Sequence, residues 1–96
     1  MKVFAIGSVT SSFSPDKAKQ HMPNEVPATL KLYLEGKVEQ FWFREKAGPI
    51  FLFNVDSVEQ AKAALDALPL VADGFMTYEL LPVGPLMPLG TLIAGK

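Results

Sequence analysis

Two apolar runs most constrain what this chain can fold into, and they occupy residues 38–43 and 50–55. A charged segment that contains Gly and Pro separates them, which predicts a β-hairpin with a loop of several residues. Side chains alternate across a strand, so Leu52 faces one way while Phe51 and Phe53 face the other. Both faces of the hairpin are therefore apolar, and both need a cover.

A chain of 96 residues has material for one layer of helices. We expect these helices to cover one face of the sheet and a second copy of the chain to cover the other. The predicted assembly is therefore a homodimer or a larger homo-oligomer.

Composition narrows the class of protein. With 49% hydrophobic and 20% charged residues, the chain is typical of a globular domain and not of a disordered one. A formal net charge of -1 favours neither nucleic acid nor an anionic membrane as a partner. Cysteine is absent, and the short apolar opening is neither a signal peptide nor a membrane span. We therefore expect a cytoplasmic protein.

The first half of the chain predicts a strand followed by helix. Residues 2–10 form the predicted strand, and Ser14 is placed to cap a helix that begins at Pro15. Pro23 predicts a break near Met22, after which a second segment runs to a stop at Gly36. Asn24 would cap that second segment.

After the hairpin, Ser57 and Gln60 have the spacing of a capping box at the start of a helix over residues 58–68, which Pro69 ends. Residues 75–81 alternate as a last strand. The predicted fold class is therefore α+β, a ferredoxin-like βαββαβ domain with a four-stranded antiparallel sheet. It spans residues 1–84, and the apolar tail over residues 85–96 is expected to dock on its own domain or on a partner subunit.

The order and spacing of several short segments resemble the muconolactone isomerase family within the dimeric α+β barrel superfamily. The matching segments are Glu35-Gly36-Lys37, Trp42 with Arg44, Gly48, residues 53–59, Leu68-Pro69-Leu70 and residues 79–82. The resemblance implies that two ferredoxin-like protomers pack sheet to sheet around a small-molecule pocket. It also implies proton transfer within an unsaturated lactone, without a metal or an organic cofactor.

Two residues are candidates for proton transfer. His21 is the single histidine, the residue type that changes charge nearest to neutral pH. Glu79 shares a strand face with Phe75 and Leu81, and apolar neighbours suit a carboxyl group for general acid or base chemistry. The alternative for His21 is a solvated or capping residue at a helix end.

Four residues are candidates for substrate binding. Arg44 has the geometry to bind a carboxylate with two hydrogen bonds, and Trp42 could hold a flat ligand. Tyr33 could donate a hydrogen bond to a ligand. Glu39 is placed among the binding candidates and is also an alternative to Glu79 for general acid or base chemistry. Alternatively, Trp42 and Tyr33 are packing residues, and Arg44 is a charge at the end of a strand.

Other chemistries lack their motifs in this sequence. There is no glycine-rich phosphate loop, no nucleophile elbow, and no second histidine or any cysteine for a transition-metal site. The predicted function is a cofactor-free isomerase or proton-transfer enzyme acting on a small, partly apolar, carboxylated metabolite. The alternatives are a non-catalytic binding or assembly module of the same fold and a cofactor-free oxygenase.

Overall fold

The structure, a computed structural model, describes residues 1–45 and 47–84. Four strands and three helices follow one another in this part of the chain. They are β1 (Lys2–Val9), α1 (Pro15–Leu34), β2 (Val38–Arg44), β3 (Gly48–Asn54), α2 (Val58–Asp66), α3 (Pro69–Ala72) and β4 (Met76–Val83). The predicted tail over residues 85–96 lies outside the described residues.

The four strands form one antiparallel sheet in the order β2-β3-β1-β4. Val3 of β1 is opposite Phe53 of β3, and Ala5 is opposite Leu80 of β4. Because β3 lies between β1 and β2, these two strands are parallel to each other and α1 connects them as a split crossover. The predicted α+β class, with its antiparallel four-stranded sheet and its βαββαβ order, is therefore confirmed.

One face of the sheet is buried under the helices. The side chains that form this core are Val3, Ala5, Val38, Phe51 and Phe53 from the strands, Leu32 from α1, and Ala61 and Leu65 from α2. Phe53 is fully buried and packs edge-on against Phe51, with ring centroids 6.2 Å apart. The predicted direction of the two phenylalanines is confirmed.

The opposite face, which we call the open face, is also apolar. It carries Phe4, Ile6, Ile50 and Leu52, all only partly buried, and Leu81, which is 40% exposed. These residues belong to β1, β3 and β4, whereas the described helices all contribute to the core on the other face. The cover that the sequence predicts for this face, a second copy of the chain, stays a prediction.

Helix α1 is continuous through both of its prolines, so the predicted break near Met22 and the second cap at Asn24 are wrong. Pro23 and Pro27 each remove a backbone donor and crowd the preceding turn. Burial of α1 on both sides of the prolines, and of Glu25 between them, offsets that cost. The C-terminal prediction is confirmed, because Gly36 follows the helix with a φ of 80°.

The second half differs from the prediction in two helix boundaries. Ser57 caps α2 through its hydroxyl, which accepts the Gln60 N–H at 3.3 Å, as predicted. However, α2 ends at Asp66, and Pro69 begins α3 instead of ending α2. Proline fits there because the first helical position needs no N–H donor. None of the described helices is long and apolar enough to cross a membrane.

Candidate functional site

A cleft of about 810 Å³ lies between α1 and the helix-covered face of the sheet. Helix α1 contributes one wall, and the edge strand β2 contributes Phe41 and Phe43 to the other. Val26 and Phe43 are 59% and 77% exposed, so the cleft opens to solvent along this rim. Its volume falls within the range of small-molecule sites in proteins.

The described lining of this cleft is almost entirely apolar. The aromatic side chains of its described lining on the helix-covered face are Phe13, Phe41, Phe43, Phe51 and Tyr78. Its polar side chains on this face are those of Glu25, Thr29 and Tyr78, and of these only Glu25 is a carboxylic acid. The arrangement is that of a hydrophobic site with a few placed polar groups.

Glu25 is a buried carboxyl group, only 8% exposed, in the middle of α1. Its Oε1 accepts the backbone N–H of Leu70 at 3.0 Å, which ties α1 to the first turn of α3. Sequence reasoning did not select this residue. The signal was its spacing, because Ala18, Glu25 and Leu32 are the buried positions of α1 and recur every seven residues, on one side of the helix.

Tyr78 enters the cleft from β4. Its ring stacks on Phe51 with centroids 5.5 Å apart. Gly7 is opposite Tyr78 in the sheet, and a Cβ at Gly7 would lie 2.8 Å from Tyr78 Cε2, so the glycine makes room for the ring. Burial raises the pKa of the Tyr78 phenol well above its usual range, and the Glu25 carboxylate raises it further. The phenol is therefore a hydrogen-bond donor at neutral pH.

The two predicted proton-transfer residues lie apart from each other. His21 Nε2 is 2.7 Å from Asp73 Oδ2, and the imidazole ring is 5.6 Å from the Phe75 ring. Glu79 is exposed and is opposite Ile6 on the open face. Neither residue contributes to the described lining of the cleft, and their catalytic roles stay predictions.

Of the predicted binding residues, Trp42 of the edge strand borders the cleft. Its ring lies on the open face, because Trp42 is opposite Ile50 in the sheet and its ring is 6.1 Å from the Phe4 ring. Tyr33 packs against Phe41, with centroids 5.5 Å apart, and does not contribute to the described lining. The ligand-binding role of Tyr33 stays a prediction.

Arg44 and Glu39 have polar partners within the protein. The Arg44 guanidinium donates to the carbonyl oxygens of Gly7 and Gly48. Glu39 pairs with Lys2. Both binding roles stay predictions. The described residues include no group of three or more His, Cys, Asp or Glu side chains arranged to hold a metal ion.

Comparison with known proteins identifies the fold. No protein-family model and no curated protein sequence matches the chain significantly. A solved structure of muconolactone isomerase superposes with a TM-score of 0.71 at 24% identity, covering 88% of this chain and 90% of that one.

The second similar structure is 5-chloro-2-hydroxyhydroquinone dehydrochlorinase (TftG) from Burkholderia phenoliruptrix AC1100, in complex with 2,5-dihydroxybenzoquinone. It superposes with a TM-score of 0.69 at 9% identity, covering 88% of this chain and 94% of that one. This chain therefore has the fold that muconolactone isomerase and the dehydrochlorinase share.

Proposed function

We propose that this protein is a cofactor-free enzyme that moves a proton within a small, cyclic, largely apolar molecule bound in the cleft under α1. The observation that carries the proposal is the placement of the buried Glu25 carboxyl group near the Tyr78 phenol in an apolar cleft. A carboxylate and a protonated phenol in such a setting supply a proton acceptor and a hydrogen-bond donor.

In the proposed reaction, the substrate has a carbon–carbon double bond one carbon away from its carbonyl group, and the Glu25 carboxylate removes a proton from the carbon between them. The electron pair of the broken C–H bond moves into an enolate, whose oxygen accepts a hydrogen bond from the Tyr78 hydroxyl. Protonated Glu25 then returns the proton to a different carbon. The net change is the position of a double bond, and the enzyme ends in its starting state.

The size and the lining of the cleft support a ring-shaped substrate. Five aromatic side chains on the helix-covered face contribute to its described lining, and aromatic faces suit flat, unsaturated rings. The names of the two similar structures agree with a small cyclic ligand, since one is an isomerase named for a lactone and the other holds 2,5-dihydroxybenzoquinone.

His21 and Glu79 define a second version of the same proposal, in which they move the proton and Arg44 binds an acidic group of the substrate. The positions of His21 and Glu79 outside the described lining of the cleft, and the contacts of Arg44 with two backbone carbonyls, favour Glu25 and Tyr78 over that version. The two versions differ in which substitutions abolish the reaction.

The proposed assembly is a dimer in which the open faces of two copies pack together. Partly buried Phe4, Ile6 and Leu52 in the middle of the sheet support it, because a contiguous apolar sheet face of this kind is a usual protein interface. The family resemblance implies the same arrangement.

Proton exchange tests the proposal directly. Muconolactone and α-angelica lactone, an uncharged unsaturated lactone, are incubated with the protein in D₂O, and deuterium incorporation is followed by NMR. We expect enzyme-dependent incorporation into at least one lactone, its loss in Glu25→Gln, and a decrease of about tenfold or more in Tyr78→Phe. Glu59→Gln, on the exposed side of α2, is the matched control and should exchange like the wild type.

Full exchange in Glu25→Gln, combined with loss in a His21→Ala, Glu79→Ala double variant, would move the chemistry to the second version. Binding of either lactone without exchange would identify a binding module instead of an enzyme.

A further inference from the structure

The described lining of the cleft contains one acidic side chain, and that side chain is buried. Glu25 is 8% exposed and is the one formally charged side chain in the described lining. The hydrogen bond given to it by a described residue comes from the neutral backbone N–H of Leu70. A carboxylate held in this way keeps an electrostatic preference for donors and against anions.

No described Lys, Arg or His side chain contributes to the lining of the cleft. The guanidinium of Arg44 donates to the Gly7 and Gly48 carbonyls, and Lys2 pairs with Glu39. An acidic ligand in the cleft would therefore lose its hydration and approach Glu25 without a basic side chain in the described lining to bind it. Lys46 lies outside the described residues, so its contribution is measured in the experiment.

Two polar groups in the lining can hold an uncharged ligand. The carboxylate of Glu25 has acceptor capacity beyond the Leu70 N–H, and the Tyr78 hydroxyl is a protonated donor. A ligand hydroxyl can donate a hydrogen bond to the Glu25 carboxylate and accept one from the Tyr78 hydroxyl. The aromatic and aliphatic side chains around them match the rest of a ring compound.

We infer that the cleft selects uncharged ring compounds over acids of the same size, and that it binds a hydroxyl group of the ligand where one is present, with Glu25 as the residue that determines this specificity. The inference rests on the proposed function, because it names the ligand class of the same site. It differs from the carboxylated metabolite that the sequence predicts.

Three probes of similar shape separate the effect of ligand charge from that of a ligand hydroxyl group. They are 4-propylbenzyl alcohol, its methyl ether, and 4-propylbenzoate. Affinities are measured by isothermal titration calorimetry at neutral pH and low salt for wild type, Glu25→Gln, Tyr78→Phe and Lys46→Ala. We expect wild type to bind the alcohol at least about tenfold more tightly than the benzoate, with the ether between them. In Glu25→Gln this ratio should fall severalfold, because the amide keeps the shape but not the charge.

Tyr78→Phe keeps the Glu25 charge and should therefore keep a high ratio of alcohol to benzoate affinity while weakening the alcohol. It also provides a second variant if Glu25→Gln does not fold. If wild type bound the benzoate as tightly as the alcohol, the inference would be overturned. Loss of that benzoate binding in Lys46→Ala would then identify Lys46 as the cation that binds the acid. An unchanged ratio in a folded Glu25→Gln would overturn it as well.

The proposed function and this inference fail in distinguishable ways. If none of the three probes binds wild type, both the ligand site and its specificity are wrong. If the acid binds as well as the alcohol while lactone exchange still depends on Glu25, the proposed function holds and only the inferred specificity falls.

Discussion

The Glu25 carboxylate on α1 accepts the backbone N–H of Leu70, 45 residues later in the chain, at 3.0 Å. This single bond ties the helix that forms one wall of the cleft to the short helix α3. Leu70 also lines the cleft, so the same contact fixes two parts of its surface. Removing the carboxylate should therefore affect both stability and ligand binding.

Glu25→Ala should lower the free energy of unfolding by about 1–3 kcal/mol, because it leaves the buried Leu70 N–H without its acceptor. Glu25→Gln, which retains an oxygen at the same place, should cost less. Urea unfolding followed by circular dichroism measures both. Glu59→Ala on the exposed surface of α2 is the control and should stay within about 0.5 kcal/mol of wild type. Equal stability of Glu25→Ala and wild type would contradict the role of the bond.

Gly7→Ala should destabilise the fold by about 1–3 kcal/mol through overpacking. The new Cβ would lie 2.8 Å from Tyr78 Cε2 and 3.1 Å from the Pro49 carbonyl oxygen. The cost should be smaller in a Tyr78→Leu background, where the aromatic atom is gone, and thermal or urea unfolding of the double-mutant cycle measures this coupling. Gly84→Ala, where an added Cβ meets nothing within 4 Å, is the matched control. Additive effects would show that Gly7 does not position Tyr78.

Tyr78 predicts a loss of stability in alkali. Its pKa in the folded protein lies above the ordinary value of 10.0, so the folded state keeps the phenol proton while the unfolded state releases it. The stabilisation is therefore complete below about pH 10 and declines above it, by up to about 1.4 kcal/mol per pH unit. Urea unfolding of wild type and Tyr78→Phe between pH 8.5 and pH 11 measures the difference in slope. If the free energy of unfolding depended on pH in the same way in wild type and in Tyr78→Phe, the assignment of this loss of stability to Tyr78 would be wrong.

Arg44→Met should lower the free energy of unfolding by about 1–3 kcal/mol, because the Gly7 and Gly48 carbonyls lose a charged donor. Lys37→Met removes an exposed cation paired with Glu35 and should change stability by less than about 1 kcal/mol. Chemical unfolding of both variants makes the comparison. If Arg44→Met were as stable as wild type but failed to bind an acidic lactone, the sequence-predicted role of Arg44 in substrate binding would be supported instead.

Leu52→Lys should convert the proposed dimer into monomers, since it places a charge in the middle of the open face between Phe4 and Gln40. Sedimentation velocity at micromolar concentration measures the change, with Ala63→Lys on the exposed side of α2 as the control of equal charge change. A wild-type protein that sediments as a well-folded monomer would remove the proposed interface.

The sheet could be predicted from the sequence because its signals are local. Residues 50–53 are a short continuous apolar run that follows Gly48-Pro49, and this length and flanking sequence favour a strand with two apolar faces. The break at Pro23 was wrong for a related reason. The cost of a proline inside a helix is a local term, whereas the burial that offsets it comes from residues far away in the chain.

The candidate site was harder to predict than the fold. Glu25 lies in a polar stretch of α1, and only its seven-residue spacing from Ala18 and Leu32 distinguishes it in the sequence from Glu35 and other exposed carboxylates. Its burial depends on α3 and its influence on Tyr78 depends on β4, and both elements lie more than 40 residues away. Chemistry assembled from distant segments leaves little local signal, whereas Trp42, in an aromatic run of the edge strand, could be selected from sequence.

The two prolines of α1 have a mechanical consequence for the cleft. Pro23 and Pro27 have no N–H, so two successive turns of the helix each lack one rung of its hydrogen-bond ladder. These turns carry Met22, Glu25 and Val26, which line the cleft. The wall that α1 contributes therefore has fewer backbone hydrogen bonds to resist bending than a helix of the same length without prolines would have.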